Sequence, residues 1–126
     1  MEKSFSELVE DAKAAVLAVS PQEASKRKNT DPDTLFIDPR DAADIASTTG
    51  IIPGALNMQL NDLRKNSDDD LLNKLVSRSR PIITVCQGGP MGAIAAHALK
   101  QRGFDNVHFI DGGTQGWLDA GFSTAR

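Results

Sequence analysis

The sequence predicts an α/β domain: a central, mainly parallel five-stranded sheet with helices on both faces. Short apolar runs at residues 35–37, 82–85 and 107–110 alternate with stretches of helical periodicity. The connections are short and rich in turn residues, as in Asp31-Pro32-Asp33 and Asp111-Gly112-Gly113. A helix between successive strands returns the chain to the same end of the sheet, so neighbouring strands run parallel. A chain of 126 residues suits one domain. Its 40% hydrophobic and 25% charged residues lie near the globular average, which argues against a disordered chain.

In chain order, Phe5, Leu8, Val9, Ala12 and Val16 recur at near-helical spacing and predict an amphipathic helix over the first fifteen residues. Residues 16–19 read equally as the end of that helix or as a short strand. Ser20-Pro21-Gln22-Glu23 is a helix start, with Ser20 as N-cap, Pro21 at the first helical position and Glu23 completing a capping box. Lys26-Arg27-Lys28 then complements the dipole at the helix end. A turn over residues 29–34 leads to the strand at 35–37, which ends at Asp38-Pro39-Arg40. A short helix is expected over residues 41–46. Ile51-Ile52-Pro53-Gly54-Ala55 makes a tight turn into Leu56-Asn57-Met58. Ser67 and the three aspartates after it cap another helix, to about Val76; acids suit a first helical turn better than a metal site.

The strand at 82–85 ends at Cys86, and a glycine-rich loop from Gln87 to Met91 follows. The next helix carries Met91, Ile94, Ala95, Ala98 and Leu99 on one face, and Gly103 closes it. A last strand at 107–110, the Asp111-Gly112-Gly113 turn and a helix over 114–120 complete the chain. There are no internal repeats or low-complexity tracts. Residues 1–19 form a helical extension and residues 20–126 the domain.

Composition narrows the function. Fourteen Lys+Arg against seventeen Asp+Glu give a net charge of −3, which argues against nucleic acid or an anionic membrane as partner. One cysteine excludes a disulfide framework and a multi-thiolate zinc site, and two histidines leave little else to ligate a metal. No metal and no cofactor is expected. The early apolar run at 14–19 is too short to span a bilayer, and Glu2, Glu7, Glu10 and Asp11 give the wrong charge for export. A cytoplasmic protein with a reduced thiol is the expectation.

Chemistry concentrates in Cys86-Gln87-Gly88-Gly89-Pro90-Met91-Gly92. In an open parallel sheet, ligands gather at the carboxyl ends of strands. A cysteine there faces loop N–H groups and the positive end of the next helix, both of which favour a thiolate. The same N–H groups can cradle an anion on or near the sulfur. Most cysteines outside disulfides are buried and inert, but the place of Cys86 at a strand end before such a loop favours a nucleophile that holds a transferred group. His97 lies about 8 Å along the helix from Gly92, and His108 sits within a strand. Neither is placed as a general base for Cys86, so a cysteine–histidine hydrolase is not expected.

Several spaced motifs together resemble a single rhodanese domain over about residues 20–122. Ile37-Asp38-Pro39-Arg40 resembles the family's early strand end, and Asp44 an acidic position soon after. Gly50-Ile51-Ile52-Pro53-Gly54-Ala55 is similar to its Gly-His-Ile-Pro-Gly-Ala turn. Residues 82–86 match the strand before the nucleophile. Gly103-Phe104, Asn106-Val107, Gly112-Gly113, Trp117 and Gly121 match the C-terminal pattern. The resemblance implies sulfur transfer, with Cys86 as nucleophile and persulfide carrier. The backbone of Gln87, Gly88, Gly89, Met91 and Gly92 would stabilise the persulfide and the donor's charge. The implied partners are a small sulfur-containing anion (thiosulfate or polysulfide) or a protein persulfide as donor, and a thiol acceptor.

Two roles are open for Arg40: a substrate contact, or an ion pair with Asp38 or Asp44. Trp117 is expected to pack the last helix, and in this fold can also wall the pocket. The segment from Cys86 to Met91 has the six-residue length associated with sulfurtransferases, one shorter than in phosphatases of this fold. It also lacks an arginine to bind an oxyanion, which disfavours a phosphatase or arsenate reductase. The sequence departs from the family at Met91, Gly92, Ile51 and Pro39. With no Lys or Arg inside the loop, a less charged donor than thiosulfate is favoured. A non-catalytic, regulatory module of the same family is the alternative; the altered loop favours it and Cys86 itself opposes it.

Overall fold

In the computed structural model, which describes residues 4–65, 70, 75, 79–88 and 90–125, the chain alternates helices and strands as expected. It runs α1 (Phe5–Ala15), β1 (Ala18–Val19), α2 (Pro21–Thr30), β2 (Leu35–Asp38), α3 (Ala42–Ser47), β3 (Leu56–Asn57) and α4 (Leu60–Lys65). After these come β4 (Ile82–Thr84), α5 (Pro90–Gln101), β5 (Val107–Ile110) and α6 (Gly113–Asp119). The five strands form one sheet in the order β1-β5-β4-β2-β3. Every pairing is parallel, with Leu35 opposite Ile82, Ile82 opposite Val107 and Ala18 opposite Phe109.

Local sequence explains where the helices begin. Ser4 caps α1 reciprocally with Glu7: its Oγ accepts from the Glu7 amide at 3.2 Å, and its own amide donates to Glu7 Oε1 at 3.3 Å. A cap of this kind contributes about 1 kcal/mol. Ser20 Oγ accepts from the Glu23 amide at 3.1 Å, and Pro21 stands at the first helical position. Glu23, expected to complete a capping box, instead turns its carboxylate to Arg27 Nε at 3.2 Å. Residues 16–19 resolve into the two-residue strand β1, with Val16 ending α1 in extended geometry. The helix expected from Ser67 to Val76 lies mostly outside the described residues; Asp70 and Leu75 are helical, and Leu75 is buried.

Successive strand residues point to opposite faces of the sheet and build two cores. On one face Ile37, Ile82 and Phe109 pack beneath α1 and α5, against Ala12, Val16, Ile94 and Leu99. On the other, Phe36, Ile83 and Ile110 pack against Ala24 of α2 and Trp117 of α6. Trp117 is edge-on to Phe36 with ring centroids 6.0 Å apart, lies 4.7 Å from Phe122, and donates its indole N–H to Ser123 O at 2.9 Å. It therefore packs the last helix, as expected. The extension is part of this body, since Ala12 and Val16 of α1 are 0% and 2% exposed. No described helix is long and apolar enough to cross a membrane.

Candidate active site

β4 is the middle strand of the sheet, and its carboxyl end delivers the chain's one cysteine. The Val85 amide donates to Ile37 O at 2.9 Å and extends the pairing by one residue. Cys86 follows, 4% exposed. α5 starts at Pro90, a residue suited to a first helical position because it has no N–H to leave unsatisfied. The helix therefore begins earlier than the sequence suggests. Met91, expected in the loop, lies in its first turn. Gln87 and Gly88 are exposed, whereas Gly89 lies outside the described residues.

Gly92 lets the helix backbone lie against the strand end. A Cβ there would stand 3.3 Å from the Cys86 amide nitrogen and 3.4 Å from Val85 Cα. Thr84, fully buried, donates its hydroxyl to Gly92 O and ties the first turn of α5 to β4. The other side of the loop is held by α6. The Thr114 amide donates to Cys86 O at 2.6 Å and the Gln115 amide to Gln87 O at 3.0 Å. Gly113, at φ +64, comes so close that a Cβ would meet those two carbonyl oxygens at 2.4 and 2.6 Å. Cys86 is thus held between two backbone contacts, one from α5 and one from α6.

Arg40 is buried beside this assembly and its guanidinium is engaged on several sides. Nη2 lies 2.7 Å from Asp38 Oδ2, and Nε donates to Asp38 Oδ1 at 3.0 Å. Nη1 donates to Thr48 Oγ1 at 3.2 Å, and Thr49 Oγ1 (2.9 Å), Gly50 O (3.2 Å) and Thr114 Oγ1 (3.5 Å) surround the second Nη2 proton. Of the two acids considered from the sequence, Asp38 is the partner. Arg40 reaches the cysteine loop through Thr114, while Gln87, Gly88, Met91 and Gly92 adjoin Cys86 along the chain.

The histidines stand apart. His97 lines the half-buried outer part of α5. His108 pairs in register with Ile83, toward the amino end of the strands, and its Nδ1 lies 3.4 Å from Arg27 Nη1 near the end of α2. Burial first, then the charges of Arg27 and Lys100, lower its pKa from the ordinary 6.5. No cluster of three metal-ligating side chains occurs among the described residues.

Gly113, Thr114 and Thr84 are the site residues that sequence reasoning missed. A pair of glycines one residue beyond a strand was the available signal for the first of them.

Residues 20–120 match the model of the rhodanese-like domain family. The chain belongs to this family. A tRNA uridine(34) hydroxylase of Agrobacterium fabrum is 31% identical over 90 residues, which cover 71% of this chain and 28% of that protein. The rhodanese-like chain thus spans less than a third of that relative. Among solved structures, a protein of unknown function from Rhodopseudomonas palustris, described as a possible tyrosine phosphatase, has a TM-score of 0.82 at 21% identity. The match covers 99% of this chain and 96% of the other. The polysulfide-sulfur transferase homodimer of Wolinella succinogenes has a TM-score of 0.72 at 24% identity, over 96% of this chain and 86% of that one. These two likenesses establish the fold.

Proposed function

We propose that this rhodanese-like protein is a sulfurtransferase that carries sulfane sulfur as a persulfide on Cys86. One observation carries the reading. The chain's one cysteine follows the central strand β4, ahead of the glycine-containing loop and the first turn of α5. The α5 dipole and the loop N–H groups stabilise negative charge on a sulfur there.

The Cys86 thiolate attacks the outer sulfur of the donor. A bond forms between Cys86 Sγ and that sulfur, and the donor's sulfur–sulfur bond breaks. The bonding pair leaves with sulfite from thiosulfate, with a shortened polysulfide, or with a thiolate from a protein persulfide. A thiol acceptor, as thiolate, then attacks the outer sulfur of the Cys86 persulfide and returns Cys86 to its thiolate. No external oxidant or reductant is needed, because the sulfane sulfur passes between thiolates at an unchanged oxidation level. Gln87, Gly88, Gly89, Met91 and Gly92 contribute backbone to the bound anion in this reading, and Arg40 supports the loop from behind through Thr114. The absence of Lys and Arg between Gln87 and Gly92 favours polysulfide or a protein persulfide over thiosulfate.

The curated relatives favour a second reading, in which the same thiol serves a reaction on tRNA. A net charge of −3 gives little electrostatic drive toward RNA, so this reading ranks lower.

The test is intact mass after treating the reduced protein with thiosulfate and, separately, polysulfide. We expect the gain of one sulfur atom, removable by cyanide and absent in Cys86→Ala. A folded protein that takes sulfur from neither donor would sink the transfer reading and leave a binding module.

A further inference from the structure

We propose that Gly113 is a positioning residue: its close approach to Cys86 and Gln87 sets the direction of the peptide groups that cradle the transferred sulfur. The inference rests on the sulfur-carrying reading of Cys86 for its purpose, but its geometry stands independently. Two carbonyls, Cys86 O and Gln87 O, are each taken by an amide of α6, from Thr114 at 2.6 Å and Gln115 at 3.0 Å. In a trans peptide the N–H points opposite to the preceding carbonyl, and the chain has no cis bond among the described residues. The N–H groups of Gln87 and Gly88 therefore face away from α6. Those donors are the ones an anion on Cys86 would meet. Were the two carbonyls released, either peptide could rotate and present an oxygen to the anion instead.

Only glycine permits this arrangement at 113. Its φ of +64 is strained for any residue with a side chain, and a Cβ would lie 2.4 Å from Cys86 O and 2.6 Å from Gln87 O. Both obstacles are backbone atoms, so no side chain can swing aside. A methyl group at 113 must push the loop carbonyls away from Thr114 and Gln115. The buried hydroxyl of Thr114 in turn lies 3.5 Å from Arg40 Nη2, and Arg40 is paired with Asp38 at the end of β2.

Gly121 provides the matched control. It has a φ of +95, and a Cβ there would find nothing within 4 Å, so Gly121→Ala incurs left-handed strain without touching the loop. The experiment compares wild type, Gly113→Ala and Gly121→Ala by the rate at which iodoacetamide, an uncharged reagent, alkylates Cys86. Loss of oriented N–H donors slows Gly113→Ala by about tenfold or more relative to Gly121→Ala. Equal rates in the two folded variants would overturn the proposal. Should Gly113→Ala not fold, NMR couplings across the Thr114 N–H···O=C Cys86 and Gln115 N–H···O=C Gln87 bonds of the wild type decide. Their detection supports the proposal, and their absence overturns it. Alkylation and couplings require no sulfur donor. A wild type that takes up no sulfur while the alkylation difference persists would sink sulfur transfer and leave the positioning role intact.

Discussion

At the scale of single residues, Arg40 illustrates how a charge that looks available in sequence is committed in space. Its side chain is 6% exposed and that of Asp38 is not exposed at all. A buried pair of this kind offsets its desolvation only when the geometry is good and the remaining hydrogen-bonding capacity is met. Here the guanidinium meets Asp38 through two nitrogens, Nη1 donates to Thr48, and Thr49, Gly50 O and Thr114 surround the remaining Nη2 proton. Removing one partner leaves the other charge buried alone. Arg40→Met should therefore lower the unfolding free energy by about 3 kcal/mol or more, read from urea denaturation. Arg40→Lys keeps the charge but loses the planar fork, and should also destabilise. A loss below about 1 kcal/mol in Arg40→Met would contradict the buried-pair account. The pairing with Asp38 was legible in the sequence, two residues away. The contacts at Thr49 and Thr114 were not, because they lie 9 and 74 residues off and meet only once the sheet has closed.

At the scale of elements, the longer strands and α5 were legible for a shared reason. β2, β4 and β5 are almost wholly buried, so they read as mainly apolar runs between turn residues, interrupted only by Asp38, Thr84 and His108. β1 and β3 hold two residues each, too few for any periodicity. His108 belongs to β5 but reports on the packing of that strand against α2 and α5. Arg27, always protonated, donates to its Nδ1, so the imidazole is neutral there and carries its proton on Nε2. Burial, Arg27 and Lys100 all oppose a second proton, and the folded-state pKa lies below 6.5. Between the folded value and 6.5 the unfolded chain binds more protons, so stability rises with pH in that window. The contribution of His108 is fully present above pH 6.5, falls as the pH drops toward the folded value, and then levels off. Urea midpoints of wild type and His108→Gln, taken between pH 7.5 and 5, provide the check. The wild type should lose more stability than the variant on acidification; parallel curves would exclude this role for His108.

At the scale of the whole molecule, parallel topology organises charge. Each helix that follows a strand starts at the carboxyl edge of the sheet, the edge that carries Cys86, and α2 and α5 end at the opposite edge, ahead of β2 and β5. Lys100, in the last turn of α5, donates to Ala15 O at the end of α1, so α1 follows the same direction. Acids are favoured at helix starts and bases at helix ends. Glu7, Glu23, Asp44 and Asp62 occupy first turns, and Asp41 caps α3; Lys13, Arg27, Lys28 and Lys100 occupy last turns. Local rules for helix stability, summed over a parallel fold, thus place negative charge around the cysteine edge and positive charge at the far edge. In the proposed transfer the loop N–H groups would attract an anion at contact distance, but an approaching anion would first meet the acids at these helix starts. Salt screens the long-range repulsion and leaves the short-range hydrogen bonds nearly unchanged. The rate of Cys86 persulfidation by thiosulfate, a dianion, should therefore rise by about twofold between low salt and 0.2 M salt, within roughly a Debye length of screening. An uncharged organic trisulfide should react at a rate independent of salt. Stopped mixing followed by intact-mass analysis measures both. A thiosulfate rate that falls with salt would mean that the field at Cys86 is positive, set by the loop and the α5 dipole rather than by the acids around them.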